Sequence, residues 1–450
     1  MARHRDSRTA GGYLRLVRET AAAGVAATAF GTATGLLTAR FLGPSDRGFY
    51  AAISTYLMSA AMIGEVGLTA AVCYFVANRP DEAPDVMRTC FAALLSLGLV
   101  TGALGIFFGP MIIGFHGPAA VMFQLAFAAQ PIIFVGGLWS FSLQAKDLRF
   151  WNMLRVFQPA TYLLAIVILA VLDRSTLGYT VGSLVLTATL QAVLARAISG
   201  RHIPRTGRFR RDLLRPLFAY GGANFTASAP YLVNSRMDQL VLAVLVTPAD
   251  LGRYAVAVSL SLLSYPVATA FGNVAMPRIA AMKGKENGAP GQVAAYAIIG
   301  SLAVGSVGAV VVCAAAPLAV PSFLGPGYQP AVVLVWILAP GGVLLGCNRV
   351  MGDILRGLNR SLTIARCEGV AAGGTAVGLI ILVPSVGVVG AAVASTGAYA
   401  VAFLLLARAV IRLSGQPPDA AKRRIGAMAL VVGSNLVRSA TSQLLRRQPS

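Results

Sequence analysis

Long apolar segments recur along the whole chain and are separated by short polar stretches. A helix needs roughly 20 apolar residues to cross the hydrocarbon layer of a bilayer, because its backbone N–H and C=O groups must be satisfied internally there. We predict that twelve of these segments form transmembrane helices. They cover residues 20–39, 48–77, 89–113, 118–143, 155–172, 177–197, 216–246, 251–275, 292–319, 329–348, 362–383 and 386–411.

The composition excludes a soluble enzyme. Hydrophobic residues make up 56% of the 450 positions and charged residues only 12%, and the apolar residues are spread from end to end rather than gathered around one core. We therefore predict an all-α polytopic membrane protein. His and Cys residues are scattered without metal-ligand spacing, so neither a metal site nor a His-based catalytic cluster is predicted, and no cofactor is implied.

The basic residues predict the orientation. Most of the 37 Lys and Arg residues fall in alternate loops, and short basic loops stay in the cytoplasm during insertion. This pattern places both termini in the cytoplasm. It also accounts for the net charge of +21, so no nucleic-acid partner is predicted, although the basic faces should attract anionic membrane lipids. The abundance of Ala, and of Arg over Lys, indicates a bacterial source and hence the plasma membrane.

An internal repeat predicts two related halves. Residues 44–51 (PSDRGFYA) recur as residues 248–255 (PADLGRYA), with five identities in eight positions. An even number of spans per copy makes this a parallel repeat, related by an axis along the membrane normal. We predict six-helix lobes at residues 1–199 and 216–412, a basic cytoplasmic linker at 200–215 and a basic tail at 413–450. The apolar part of the tail, 425–445, is predicted to be an interfacial helix or disordered.

Four ionisable residues lie at membrane depth, where a charge is costly and usually has a partner or faces water. Arg236 is predicted either to pair with a carboxylate or reach the interface, or to meet an anionic substrate. Glu65, Asp238 and Glu368 are candidates for proton or sodium coupling, or for structural hydrogen bonds. Because residues two apart on a helix point to opposite sides, Arg236 and Asp238 should not simply neutralise each other.

Several stretches resemble a known family: residues 39–50, 235–242 with 251–255, 323–328, and 383–395. Together they are similar to polysaccharide flippases of the multidrug/oligosaccharidyl-lipid/polysaccharide (MOP) exporter superfamily, over residues 13–412. The resemblance implies two six-helix lobes around a V-shaped cavity. It also implies a polyprenyl-(pyro)phosphate-linked glycan as substrate, moved from the cytoplasmic to the external leaflet for cell-surface polysaccharide biosynthesis.

The same resemblance implies that arginines in the cavity bind the pyrophosphate. Arg236 and Arg47 are the first candidates in this sequence, and Arg18, at the start of the first span, is a further one. Possible protein partners are a polysaccharide polymerase or glycosyltransferases.

Two other functions remain open from the sequence. A cation-coupled multidrug or small-molecule antiporter of the same superfamily would rely on membrane carboxylates such as Glu65 and Asp238. A membrane glycosyltransferase, polymerase or ligase would need catalytic groups in the external loops, which are short and carry only three carboxylates, Asp46, Asp173 and Asp250.

Overall fold

The computed structural model describes residues 3–204, 206–282 and 290–413, and the regular structure in these ranges is entirely helical. The α-helices are α1 (Arg3–Gly64), α2 (Leu68–Asn78), α3 (Ala83–Ile113), α4 (Gly117–Ala128), α5 (Gln130–Lys146), α6 (Leu148–Val171), α7 (Leu177–His202), α8 (Arg211–Asn234), α9 (Met237–Leu245), α10 (Pro248–Ser261), α11 (Tyr265–Met282), α12 (Pro290–Ala319), α13 (Ala331–Gly357) and α14 (Ser361–Leu413). The prediction of an all-α protein is confirmed.

Helices α1 and α14 are each interrupted by a tight turn. The apolar part of α1 has 47 residues and α14 has 53. Straight helices of these lengths would run about 70 and 80 Å, against a hydrocarbon layer of about 30 Å. The backbone leaves the helical conformation at Gly43 in α1 (φ 73°) and at Val386 and Gly387 in α14. Glycine suits the positive φ, and Pro44 begins the next helical stretch because its missing N–H needs no partner there.

Three spans predicted to be continuous are broken, and that part of the prediction is wrong. Residues 65–67 separate α1 from α2, residues 235–236 separate α8 from α9, and residues 262–264 separate α10 from α11 with a bend of 49°. At the first break Val66 and Gly67 both have positive φ. At the third, Pro266 opposes a continuous helix because its ring clashes with the carbonyl four residues earlier.

The chain is a multi-pass membrane protein. Within the described ranges, eight segments are long and apolar enough to cross a bilayer, or nine if α10 and α11 are counted as one bent span. Helix α13 is the most buried of them and lies among α10, α11, α12 and α14. In the first half of the chain α5 packs against α3 and α7, and across the halves α1 packs against α10 and α2 against α8.

The connection between the halves is bound to the start of α3. Its Arg208 N–H donates to the Asp85 carboxylate at 2.7 Å, and the Arg210 guanidinium lies 3.9 Å from Asp85 and 4.0 Å from Glu82. A hydrogen bond from Arg210 also lowers the pKa of the Asp212 carboxyl. The non-helical part is short, because α7 ends at His202 and α8 begins at Arg211. The predicted tail lies outside the described residues from position 414 onward.

Candidate functional site

A cavity of about 540 Å³ lies between the two halves of the chain, and we refer to it as the central cavity. Helices α1 and α6 line it from the first half, and α9, α10 and α11 line it from the second. Its wall carries many side chains that can hydrogen-bond to a polar solute: Thr28, Thr32, Thr34, Thr38, Ser54, Thr55, Gln158, Gln239 and Ser259. Such a lining suits a polar or sugar-bearing group rather than a purely apolar one.

Arg47 reaches this cavity from α1, just after the break at Gly43. Arg47 is only 6% exposed to solvent, and its buried Nε has no hydrogen-bond partner. The guanidinium carbon lies 5.4 Å from the centre of the Tyr50 ring, which stacks on Tyr162. None of the described carboxylates lies within ion-pair distance of Arg47. An anion entering the cavity would compensate this buried charge.

Arg236 lines the same cavity from the second half. It occupies the turn between α8 and α9 and is exposed, whereas Asp238, two residues later, is buried. The structure thus brings together Arg47 and Arg236, two of the three arginines predicted to bind substrate, from positions 189 residues apart in the sequence.

A second cavity of about 580 Å³, the entry cavity, continues from the central cavity. Both are lined by Thr28 and Tyr265, so the two form one path. Arg155 and Arg349 line the entry cavity, and sequence reasoning missed them because both were assigned to basic cytoplasmic loops. A signal was available in the sequence, because Arg155 is the first residue of a predicted span and Arg349 directly follows another.

The two arginines of the entry cavity differ in their surroundings. The Arg155 guanidinium lies 4.6 Å from the centre of the Trp151 ring, and it has no ion-pair partner among the described side chains. Arg349 lies 3.7 Å from the Asp353 carboxylate and also packs over the Tyr231 ring. Arg155 is therefore the freer of the two cations for an anionic ligand.

Four of the six predicted site residues do not line either cavity: Arg18, Glu65, Asp238 and Glu368. Arg18 is exposed and precedes Thr20, the first residue that lines the entry cavity. Glu65 lies at the turn between α1 and α2, where its carboxylate accepts a hydrogen bond of 2.9 Å from the Thr69 hydroxyl. The span that was predicted to be continuous through Glu65 is interrupted there, because the helix stops at Gly64.

Asp238 belongs to a buried polar group in the second half. Its carboxylate accepts hydrogen bonds from the Tyr254 hydroxyl at 2.6 Å and from the Ser395 hydroxyl at 3.3 Å. All three residues are buried. A carboxylate held this way is satisfied without an ion pair to Arg236, which precedes α9 in a non-helical conformation.

A second buried polar group lies beside it, between α8 and α14. Asn234 donates to the Glu368 carboxylate at 3.3 Å and accepts from the Thr375 hydroxyl at 2.6 Å. Asp238 and Glu368, two predicted coupling residues, thus both take part in hydrogen bonds that join residues 234–238 to α14. Sequence reasoning missed their partners, which come from helices far apart in the chain.

The side-chain polar atoms of these two groups are carboxylate and hydroxyl oxygens and the amide of Asn234. Oxygen donors suit a proton or an alkali cation rather than a transition metal. Across the described part of the chain, no three His, Cys, Asp or Glu residues come together as a metal-binding group.

The two copies of the sequence repeat pack against each other at one end of the bundle, which we refer to as the repeat end. A Cβ atom added to Gly48 would lie 1.6 Å from the Pro248 carbonyl oxygen, and one added to Gly252 would lie 2.0 Å from the Pro44 carbonyl oxygen. The contact is therefore reciprocal, and each glycine is required because any side chain would separate the helices.

Polar contacts across the halves reinforce the repeat end. Arg40 donates to the Phe323 carbonyl at 2.8 Å, and the Tyr328 hydroxyl donates to the Ala39 carbonyl at 2.9 Å. Within the second half, Arg253 donates to the Gly327 carbonyl at 3.0 Å, which holds the segment that carries Tyr328 in place. The central cavity is consequently closed at this end, and the entry cavity extends from it in the opposite direction, toward the start of α1.

The comparisons with known proteins agree with this geometry. A family model described as "Polysaccharide biosynthesis protein" matches residues 37–333, more than half of the chain. No curated protein sequence matches the chain.

Solved transporter structures have the same fold. The lipid II flippase MurJ, in an inward closed conformation, matches with a TM-score of 0.76 at 14% identity over 92% of this chain and 90% of that one. An inward-facing multidrug resistance MATE family transporter of the MOP superfamily matches with a TM-score of 0.69 at 13% identity, over 86% and 95% of the two chains. An outward-facing one gives 0.57 at 14% identity, over 88% and 96%.

Proposed function

The chain belongs to the polysaccharide biosynthesis protein family, and from that premise we propose that it is a flippase for a lipid-linked oligosaccharide. It moves a polyprenyl-(pyro)phosphate-linked glycan from the cytoplasmic to the external leaflet by alternating access. The observation that carries the proposal is the pair Arg47 and Arg236, which reach one polar cavity from the two halves of the chain. The protein acts as a transporter and not as an enzyme.

The proposed topology has twelve spans in two six-helix lobes. The turns at Gly43 and Gly387 divide α1 and α14 into two spans each, α2 continues the second span of α1, and the pairs α4–α5, α8–α9 and α10–α11 each form one span. Both termini and the basic connection at 203–210 then lie in the cytoplasm, and the repeat end faces outward in a bacterial plasma membrane.

The cavities support a path for the head group. Arg155 lies at the cytoplasmic part of this path and Arg47 near its outer end, so the (pyro)phosphate passes from one to the other while hydroxyl groups between them bind sugar. An arginine presents a planar fork of donors that matches phosphate oxygens. The polyprenyl tail stays in lipid while the head group crosses.

The return step is coupled to a proton or sodium ion at Asp238 and Glu368. The two carboxylates lie in adjacent buried polar groups, which lets occupancy by a cation alter the contacts of Asn234 and Tyr254. Glu65 has a single hydrogen-bond partner, Thr69, and lies in the other half. We assign it a weaker role in coupling for that reason.

The second candidate is a cation-coupled multidrug or small-molecule antiporter. The buried carboxylates of the second half favour it, and so does the shared fold with MATE transporters. An antiporter would use the central cavity for a small cation or drug. The arginines of the cavity argue against a cationic substrate, because they would repel it.

Conditional depletion, followed by measurement of lipid-linked oligosaccharide in each leaflet, tests the proposal. A membrane-impermeant sugar-modifying enzyme reports the external pool. Accumulation of the cytoplasmic pool is the expected result, and it should be reversed by the wild-type chain but not by a variant with both Arg47→Gln and Arg236→Gln. An unchanged leaflet distribution with altered drug efflux would support the antiporter instead.

The proposal includes protein partners at the cytoplasmic face. Removing residues 414–450 should leave flipping intact while abolishing co-purification with glycosyltransferases or a polymerase, if the basic tail recruits them. Loss of flipping in the shortened chain would assign the tail to transport.

A further inference from the structure

A small pocket of about 160 Å³ lies in the first half of the chain, away from the substrate path. It is formed where α3 begins and α7 ends, with α5 behind them, and we refer to it as the α3–α7 pocket. Arg88, Arg196, Phe91, Trp139, Met87 and Ile203 line it. None of these residues lines the central or the entry cavity.

The pocket combines two cations with two aromatic rings. The Arg196 guanidinium lies 5.5 Å from the centre of the Trp139 ring and that of Arg88 lies 5.9 Å from the Phe91 ring. The two ring centres are 6.3 Å apart. Two guanidinium groups therefore flank one apolar floor, held there by cation–π contacts rather than by carboxylates.

The positive charge of the pocket is not neutralised by the protein. No described carboxylate forms an ion pair with Arg88 or Arg196. The nearby acidic residues are engaged elsewhere: Glu82 lies 3.4 Å from Arg79, and Asp85 accepts the Arg208 N–H. An anion is the missing partner.

The depth of the pocket indicates where that anion comes from. Arg88 is five residues from the start of α3 and Arg196 six residues from the end of α7, which is about 7.5 and 9 Å along each helix. The headgroup layer on each side of a bilayer is roughly 5 to 7 Å thick. Both helices are candidate membrane spans, and with their ends placed at the membrane surface the two arginines lie where headgroups meet acyl chains.

We propose that the α3–α7 pocket binds the phosphate of an anionic phospholipid from the leaflet at this end of the bundle. The two guanidinium groups bind the phosphate, and the first part of an acyl chain lies against Phe91, which is nearly one turn deeper along α3 than Arg88. Two cations favour a headgroup with net negative charge over a zwitterionic one, whose ammonium they repel. The site is independent of the flippase proposal, because it shares no residue with the substrate path.

Native mass spectrometry of the full chain tests this proposal. Protein is equilibrated with phosphatidylglycerol or phosphatidylcholine of identical acyl chains. We expect the wild-type chain to retain phosphatidylglycerol at least tenfold better, and the variant with Arg88→Gln and Arg196→Gln to lose that preference. Arg79→Gln is the matched control, because Arg79 lies beside the pocket but is paired with Glu82. It should keep the preference.

Three results would overturn the proposal. Equal retention of the two lipids by the wild-type chain is one, and a preference that survives in the double variant is another. The third is a rise in melting temperature with inorganic phosphate equal to that with phosphatidylglycerol, which would make the pocket a site for soluble anions. If the double variant does not fold, the lipid comparison and the phosphate comparison on the wild-type chain decide the question.

Discussion

Arg47 is held where an arginine without a partner is expensive. Burial of an unpaired charge costs several kcal/mol, so a structure retains one where a ligand or a neighbouring charge compensates it. Here the side chain packs on Tyr50, its Nε has no partner, and the hydroxyl-lined cavity lies in front of it. The position in the fold therefore agrees with the role that the family resemblance implies.

Replacing Arg47 by Gln should reduce flipping at least tenfold. A hydrogen bond to a charged group contributes about 1.5–3 kcal/mol, which corresponds to roughly ten- to a hundredfold in affinity. Arg47→Lys should give an intermediate rate, because it keeps the charge and loses the planar fork. Arg174→Gln, at an exposed turn, is the control and should transport like the wild-type chain. Leaflet-resolved measurement of lipid-linked oligosaccharide gives the rates, and wild-type flipping by Arg47→Gln would exclude the phosphate role.

Asp238 is buried with hydrogen-bond partners, whereas the Nε of Arg47 has none. Replacing it by Asn keeps the size of the side chain and a partner for Tyr254 but removes the charge that a cation would neutralise. In reconstituted vesicles, Asp238→Asn should abolish the response of transport to an imposed proton or sodium gradient, while exchange without a gradient persists. Asp173→Asn, at an exposed turn, should respond normally. A full response of the Asp238 variant would remove this residue from coupling.

The packing of the helices explains why both copies of the repeat contain a proline and a glycine. In each copy the glycine lets its helix approach the carbonyl of the opposite copy's proline, so the two motifs complete one another. The reciprocal contact is isologous in the sense of a two-fold interface, although both sides belong to one chain. A short motif at the start of two equivalent helices thus closes the repeat end.

Gly48→Ala should open the repeat end. Its Cβ would lie 1.6 Å from the Pro248 carbonyl oxygen, which is backbone and must move away. In a background without the five native cysteines, Ser54→Cys in the central cavity should then react several-fold faster with an impermeant thiol reagent added outside. Gly397→Ala, where an added Cβ meets nothing within 4 Å, is the control. Unchanged labelling in Gly48→Ala would mean that this contact does not close the cavity.

The sequence predicted the helical class, because long apolar runs leave a local pattern, and the family resemblance named Arg47 and Arg236 as candidates, which line one cavity. The breaks at 65–67 and 262–264 were missed, although Gly64, Gly67 and Pro266 were visible, because the apolar run continues through them. Polar partners such as Ser395 were not predictable. They are brought to Asp238 by packing across 157 residues, which hydrophobic periodicity does not encode.

At the scale of the whole molecule, the closed repeat end and the entry cavity correspond to one state of the proposed transport cycle. Alternating access requires that the contacts of the repeat end separate in another state. The halves meet there through backbone carbonyls, a few arginines and an apolar cluster that includes Ile53 and Val256, so separation has to expose part of that cluster.

A covalent link across the repeat end should therefore stop transport. A Cβ atom at Gly327 would lie 3.1 Å from Pro44 Cγ, so cysteines at these two positions lie within reach of a short bifunctional thiol reagent. We expect the cross-linked double variant, without its native cysteines, to hold lipid-linked oligosaccharide in the cytoplasmic leaflet, and a reductively cleavable linker to restore flipping when it is cut. Each single cysteine variant treated in the same way should remain active. Continued flipping by the fully cross-linked chain would show that this end need not open, and the substrate would then have to leave between helices at another point.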